Sequence, residues 1–253
     1  MTVNFDSLLT SLSVEEKVAQ MMVLGLTGTF VEPELVEFIE QYGLGGLRLS
    51  PHLARKFIRY LPDGAPGVEN VNREPSFREK IFNMDIPPMR ATAVEYAATL
   101  NKLRKLAFER KGLGLPLHMV ADYESAGGDF TPPGMLCLPA TMGLGHLGDC
   151  ELIKKTSAAL GKQLKAIGID WIHSPVVDVN VNPANPEIYT RSYCEDTEVV
   201  IGCARAALQG LKSSNVIGCL KHYPGRGDTA FDAHFGVSDI PLSKEHMMKY
   251  QIV

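Results

Sequence analysis

The sequence predicts an α/β fold with a parallel sheet and crossover helices, and three observations predict it. Short apolar runs of strand length alternate with longer segments of helical period. Glycines stand where the helical periodicity stops. Charged residues follow the apolar runs directly, at the strand end where parallel α/β folds bind their ligands. Consecutive parallel strands need a long return segment, and a helix supplies it.

The elements follow in order. Ser13 ahead of Glu15 and Glu16 reads as a helix cap with acidic residues in the first turn, a structural feature that needs no functional role. A first strand is expected at residues 20–24, with Met21 and Met22 in the core, and a second at 46–49. Residues 51–88 are dense in proline, asparagine and charge, so they read as an irregular insertion, either a wall of the substrate pocket or decoration. A helix at 94–110 ends near Gly112 and leads to a strand at 117–122. A helix at 151–167 stops at Gly168 and leads to a strand at 170–177, with Trp171 in the core. The last strand, 216–221, leaves through a loop rich in glycine around Pro224. All of this fits one domain spanning 1–253.

Composition narrows the function. Of 253 residues, 45% are hydrophobic and 21% charged, the balance of a globular chain able to bury a large core. A net charge of -4 without clustered lysine and arginine leaves no basic stripe to displace counterions, so no nucleic-acid partner is expected. No uncharged apolar run reaches about 18 residues, so no membrane span is expected. The first residues lack a basic segment followed by an apolar one, so no secretory signal is read and a cytoplasmic location is expected. Five cysteines without a CxxC pair fit neither a disulfide framework nor a zinc site, and are expected to be reduced and mostly buried.

The chemistry concentrates in KHYPGRGDTAFDAHFG, residues 221–236. Lys221 and His222 close the last strand. Asp232 and His234 flank Ala233, a spacing that lets a carboxylate hold one imidazole nitrogen and leave the other to exchange a proton. The plain structural alternatives are a solvated Lys221, a satisfied, partly buried His222, and loop capping by Asp232 and His234. A metal site from His222, Asp228, Asp232 and His234 is opposed by the adjacent Lys221, and no metal is expected. PGRGDT lacks the GxxxxGK(S/T) pattern of a phosphate cradle, and reading residues 226–228 as an adhesion tripeptide would need an extracellular loop.

KHYPGRG, then DTAF, then DAH resembles the motif of glycoside hydrolase family 3, in its β-N-acetylhexosaminidase branch: KH(F/I)PG(H/R)G, four residues, D(S/T)H. Tyr223 and Ala233 are the departures, and neither removes a group that the Asp/His pair uses. Residues 12–28, 42–50 and 169–196 are similar to further strand regions of the family, so the resemblance covers most of the chain apart from the insertion.

The resemblance implies a (β/α)₈ barrel of the TIM type, truncated here after about the fifth or sixth βα unit. It implies retaining hydrolysis of non-reducing-end β-linked N-acetylglucosamine or a related hexose, a carbohydrate partner, and no cofactor. His234 would protonate the leaving oxygen and later deprotonate water, with Asp232 orienting it. Lys221, His222 and Arg191 would bind the sugar, the alternative for Arg191 being a surface ion pair with Glu195 or Asp196. Asp122 resembles the first residue of the family's DQEGGR segment. ADYESAGG departs from that segment in Tyr123, in an extra Ser125 and Ala126, and in having no arginine. Asp178 reads more simply as a holder of loop backbone or partner of a nearby cation. The family's nucleophilic aspartate lies on a later strand and has no counterpart in these residues. The alternatives are a β-glucosidase or glycoside phosphorylase of the same family, or a sugar-binding fragment without the nucleophile.

Overall fold

Residues 5–50, 92–124, 134–233, 236–240 and 242–252 are described by the structure, a computed structural model. The expected insertion at 51–88 and His234 lie outside the described residues. Five strands, β1 (Val23–Thr27), β2 (Gly46–Ser50), β3 (His118–Ala121), β4 (Trp171–Ile172) and β5 (Ile217–Gly218), form one sheet in chain order. Every pairing is parallel, with Val23 opposite Gly46, Gly46 opposite His118, Val120 opposite Trp171, and Trp171 opposite Ile217. A doubly wound sheet reverses its strand order at a switch point, and no reversal occurs here. This is the wall of an α/β barrel, as expected.

The helices are α1 (Phe5–Ser11), α2 (Val14–Gln20), α3 (Pro33–Tyr42), α4 (Ala93–Glu109), α5 (Thr141–Leu147), α6 (Cys150–Ile167), α7 (Thr197–Ser213) and α8 (Lys244–Tyr250). Their starts are written in side chains. Ser13 with Glu16 and Thr92 with Glu95 form capping boxes for α2 and α4. Asp149 caps α6, and Asp196 caps α7 by accepting from the N–H groups of Glu198 and Val199. Gly168, at φ 105°, ends α6 in a conformation that side chains oppose. The helices α6 and α7 pack closely because position 210 is glycine: a Cβ there would overlap the Lys154 carbonyl and lie 2.7 Å from Ser157 Cβ.

Alternation along the strands sorts the two faces of the sheet. Leu47, Leu49, Met119, Ala121 and Ile172 share a core with Ile39, Leu100, Leu160, Leu164 and Leu211 of the helices. The period of two therefore turns Arg48, Val120 and Trp171 to the opposite, inner face, and carries Asp122, Glu124, His173 and Lys221 to that face as the strands end. Among the described residues no helix is long and apolar enough to cross a membrane.

Several expectations are corrected. The first strand begins at Val23, not residue 20, because the capping box drives α2 as far as Gln20. Met21 and Met22 fall in the turn between them, and Met21 is 85% exposed instead of buried. Trp171 is only half-buried, since it faces the inner side. The cysteines are free, yet Cys203 alone is buried, with Cys137 and Cys150 exposed in a loop and at the start of α6. Glu16 is more than a cap: it is buried in ion pairs with Arg110 and Lys111. Lys111, the Ser13 N–H and Arg110 together pull its carboxyl down to about 2.

Candidate active site

Two inward carboxylates from the end of β3 gather the cations of the neighbouring strands. Asp122 receives Arg48 of β2 on Oδ2, and on Oδ1 it receives His173 Nδ1 at 2.9 Å, with Lys221 Nζ 3.7 Å away. Burial works to raise the Asp122 pKa, but these hydrogen bonds and charges outweigh it and hold the carboxyl well below its usual range. Two residues on, Glu124 grips the Arg191 guanidinium in a two-point contact of 2.8 and 2.9 Å and pairs with Lys221 through Oε1. Burial likewise opposes ionisation of Glu124, and Arg191 and Lys221 overcome it. The return effect holds Arg191 charged despite its burial.

His222 is held from the other side. Its backbone N–H donates to Asp178 Oδ2 at 3.1 Å, and its ring Nδ1 donates to the same oxygen at 2.6 Å. Nε2 faces Arg191 Nη2 at 3.4 Å, and a guanidinium only donates, so Nε2 presents its lone pair there. Asp178 Oδ1 accepts the Arg226 backbone N–H at 2.6 Å. Asp178 thus does what its simpler reading says, holding loop backbone, and it also fixes the imidazole.

The rest of the loop lies on the segment after β4. Asn182 donates to the carbonyls of Asp228 and Thr229 at 3.1 and 3.3 Å, and Asn185 donates to the Arg226 carbonyl at 2.6 Å. The Glu187 carboxylate, 2% exposed, accepts from the Arg226 guanidinium and from the Ala233 N–H at 3.4 Å. Asp232 is half-buried beside this anchor. Contact is so close that a Cβ on Gly227 would overlap the Val179 carbonyl oxygen. Gly227→Ala is expected to push the loop outward, lowering the unfolding free energy by about 1–3 kcal/mol and any turnover by about 100-fold, read from urea melts and steady-state rates.

Of the residues singled out from sequence, Asp122, Arg191, Lys221 and His222 are brought together at the C-terminal edge of the sheet. Lys221 is paired, not solvated, and Arg191 pairs with Glu124 instead of Glu195 or Asp196. His222 is indeed a satisfied, partly buried histidine, and it sits in the cluster as well. Three residues were missed. Glu124 was readable as the next inward position after Asp122, and Arg48 as a cation inside an apolar strand. His173 stands two places past Trp171, on the same face.

Two residues of the alternative metal set, Asp228 and His222, are otherwise engaged. Asp228 accepts from His246 at 3.0 Å and from Gln251 at 2.9 Å, while both His222 nitrogens face Asp178 and Arg191. A cavity of about 350 Å³ opens elsewhere, between α7, α8 and the segment after β4. Val177, Val200, Ala204, Leu208, Leu220 and Tyr250 give it a mainly apolar lining, away from the carboxylates and histidines that could move protons, so we do not read it as the reaction site.

Residues 13–253 match the model of the glycosyl hydrolase family 3 N terminal domain. A beta-hexosaminidase A from Pseudoalteromonas piscicida is 35% identical over 99 residues, which are 39% of this chain and 17% of that protein. A beta-N-acetylglucosaminidase/beta-glucosidase from Cellulomonas fimi is 27% identical over 154 residues, 61% of this chain and 26% of that protein. The solved structure of a glycoside hydrolase family 3 beta-N-acetylglucosaminidase from Paenibacillus sp. str. FPU-7 superimposes with a TM-score of 0.74 at 25% identity, covering 96% of this chain and 39% of that one. The matched region is thus well under half the length of each of these relatives.

Proposed function

The chain belongs to the glycosyl hydrolase family 3 N-terminal domain family, and from that premise we propose that it builds the sugar-binding and acid/base part of a retaining glycosidase acting on non-reducing-end β-linked N-acetylglucosamine. One observation carries the reading. Lys221 and His222 meet Asp122, Glu124 and Arg191 at the C-terminal edge of the sheet, and the same loop runs on to Asp232, Ala233 and His234. The names of the Cellulomonas fimi relative and of the Paenibacillus structure support the N-acetyl sugar.

In this scheme the cluster of donors and carboxylates holds the sugar hydroxyls. His234 gives its proton to the glycosidic oxygen as the bond to the anomeric carbon breaks and a nucleophilic carboxylate takes that carbon. His234 then removes a proton from water, whose oxygen displaces the carboxylate and restores it. Asp232 orients the imidazole and balances its charge. No described residue is assigned as the nucleophile, and the assay uses the natural polypeptide.

Paired chromogenic β-N-acetylglucosaminide and β-glucoside substrates test the reading, with and without a chelator and with phosphate added. We expect the N-acetyl sugar to be preferred at least about tenfold in kcat/KM. The rate should be unchanged by chelation, and water should be the acceptor. Preference for the glucoside would favour a β-glucosidase, an activity also in the Cellulomonas fimi relative's name. A glycosyl phosphate product would make it a phosphorylase, and no cleavage of either sugar would leave sugar binding alone.

A further inference from the structure

We propose that His173 is a specificity-determining residue, reading one hydroxyl of the bound sugar through Nε2, an inference that rests on the glycosidase reading above. Its position comes from the strand pattern. Ile172 packs into the helix-side core, so Trp171 and His173 on either side of it face inward. There His173 joins Arg48, Asp122 and Lys221 in a ring of polar side chains supplied by four consecutive strands or their ends.

The chemistry follows from the partners. A carboxylate only accepts, so His173 Nδ1, 2.9 Å from Asp122 Oδ1, carries the hydrogen. In the neutral ring the lone pair then sits on Nε2, which has no partner among the described residues. The ring is held in place edge-on to Trp171, with centroids 5.4 Å apart and planes at 84°. Its side chain is 29% exposed, so it is accessible to a ligand. Beside it, the Trp171 Nε1–H is buried with no acceptor among the described residues, an orphan donor that a ligand oxygen would satisfy.

Each Asp122 oxygen already receives one protein donor, which leaves it part of its accepting capacity, and His173 adds a further acceptor beside it. Asp122 and His173 together present neighbouring acceptors, suited to two adjacent hydroxyls of a neutral hexose or N-acetylhexosamine. Removing the hydroxyl that Nε2 reads leaves the imidazole unpaired, and the site then discriminates against the deoxy sugar.

The test uses the natural polypeptide, a nitrophenyl β-N-acetylglucosaminide and its monodeoxy analogues. Wild type is expected to disfavour one analogue by about tenfold or more in kcat/KM. His173→Phe keeps the ring and its contact with Trp171 but removes both nitrogens. It should bring that one ratio close to unity and leave the ratios for the other positions unchanged. His173→Leu serves if the phenylalanine variant does not fold. Equal losses on every analogue, or ratios identical to wild type, overturn the proposal while leaving the glycosidase reading intact.

Binding separates the two failures. In the wild-type protein, the imidazole signals of His173 are followed by NMR as the free sugar and its deoxy forms are added. A shift that disappears with one deoxy sugar, in a protein that cleaves nothing, supports the hydroxyl reading and defeats the hydrolase. No shift with any sugar overturns the hydroxyl reading.

Discussion

Replacing His234 with alanine in the natural polypeptide is expected to lower kcat by about 100-fold to 10,000-fold, the span that a positioned acid/base contributes. The loss should depend on the leaving group. Nitrophenolate departs without much help, so the first step on a nitrophenyl substrate survives and the second, in which water must be deprotonated, becomes limiting. A burst of nitrophenol ahead of slow turnover is the expected trace. An unactivated disaccharide needs protonation in the first step, so there the loss should be larger and no burst should form. Asp232→Asn keeps the imidazole but removes the negative charge that stabilises its protonated form. The histidine pKa then falls, and the alkaline limb of kcat/KM moves to lower pH, because the protonated acid is lost sooner as pH rises. Activity of His234→Ala within twofold of wild type would show that the proton comes from another group.

Much of this molecule was legible in its sequence because its rules are local. The capping residue Ser13 and the stop at Gly168 fix helix ends from a few neighbouring atoms. The alternation of apolar runs gave five parallel strands, and Lys221 and His222 stood where a strand ends. What stayed hidden depends on pairs distant in the chain. Arg48 acquires meaning only beside Asp122, and Glu124 only between Arg191 and Lys221. The two-residue strands β4 and β5 are shorter than the apolar runs around them, although a parallel bridge between Val176 and Lys221 still joins the two segments beyond them. Met21 and Met22 show the opposite error, where apolar character was read as burial although two abutting elements leave their turn outside. Asp178 marks the boundary between the cases. Its end-of-strand position suggested a backbone clamp, but only the fold reveals that one carboxylate serves a ring and two peptide groups.

That clamp makes Asp178→Ala the most destabilising change we expect in the site. The carboxylate is 1% exposed, and its removal strands the N–H groups of His222 and Arg226 and the His222 Nδ1–H together. Breaking a buried, hydrogen-bonded charged group costs about 3–5 kcal/mol, and a urea melt of the natural polypeptide reads it directly. Asp178→Asn separates charge from hydrogen bonding. Whichever way the amide turns, its NH₂ replaces one oxygen and meets a donor, either the Arg226 N–H or the two donors of His222. The asparagine variant should therefore fall near the alanine variant and not near wild type. Function adds an independent reading, because a released His222 ring no longer meets the sugar in one orientation. In Asp178→Asn molecules that still fold, KM should rise more than kcat falls, as expected when a binding group is loosened and the acid/base is untouched. A wild-type melting midpoint in Asp178→Ala would mean that the loop is held by Asn182, Asn185 and Glu187 without it. A kcat loss with KM unchanged would instead place His222 among the groups that act on the transition state.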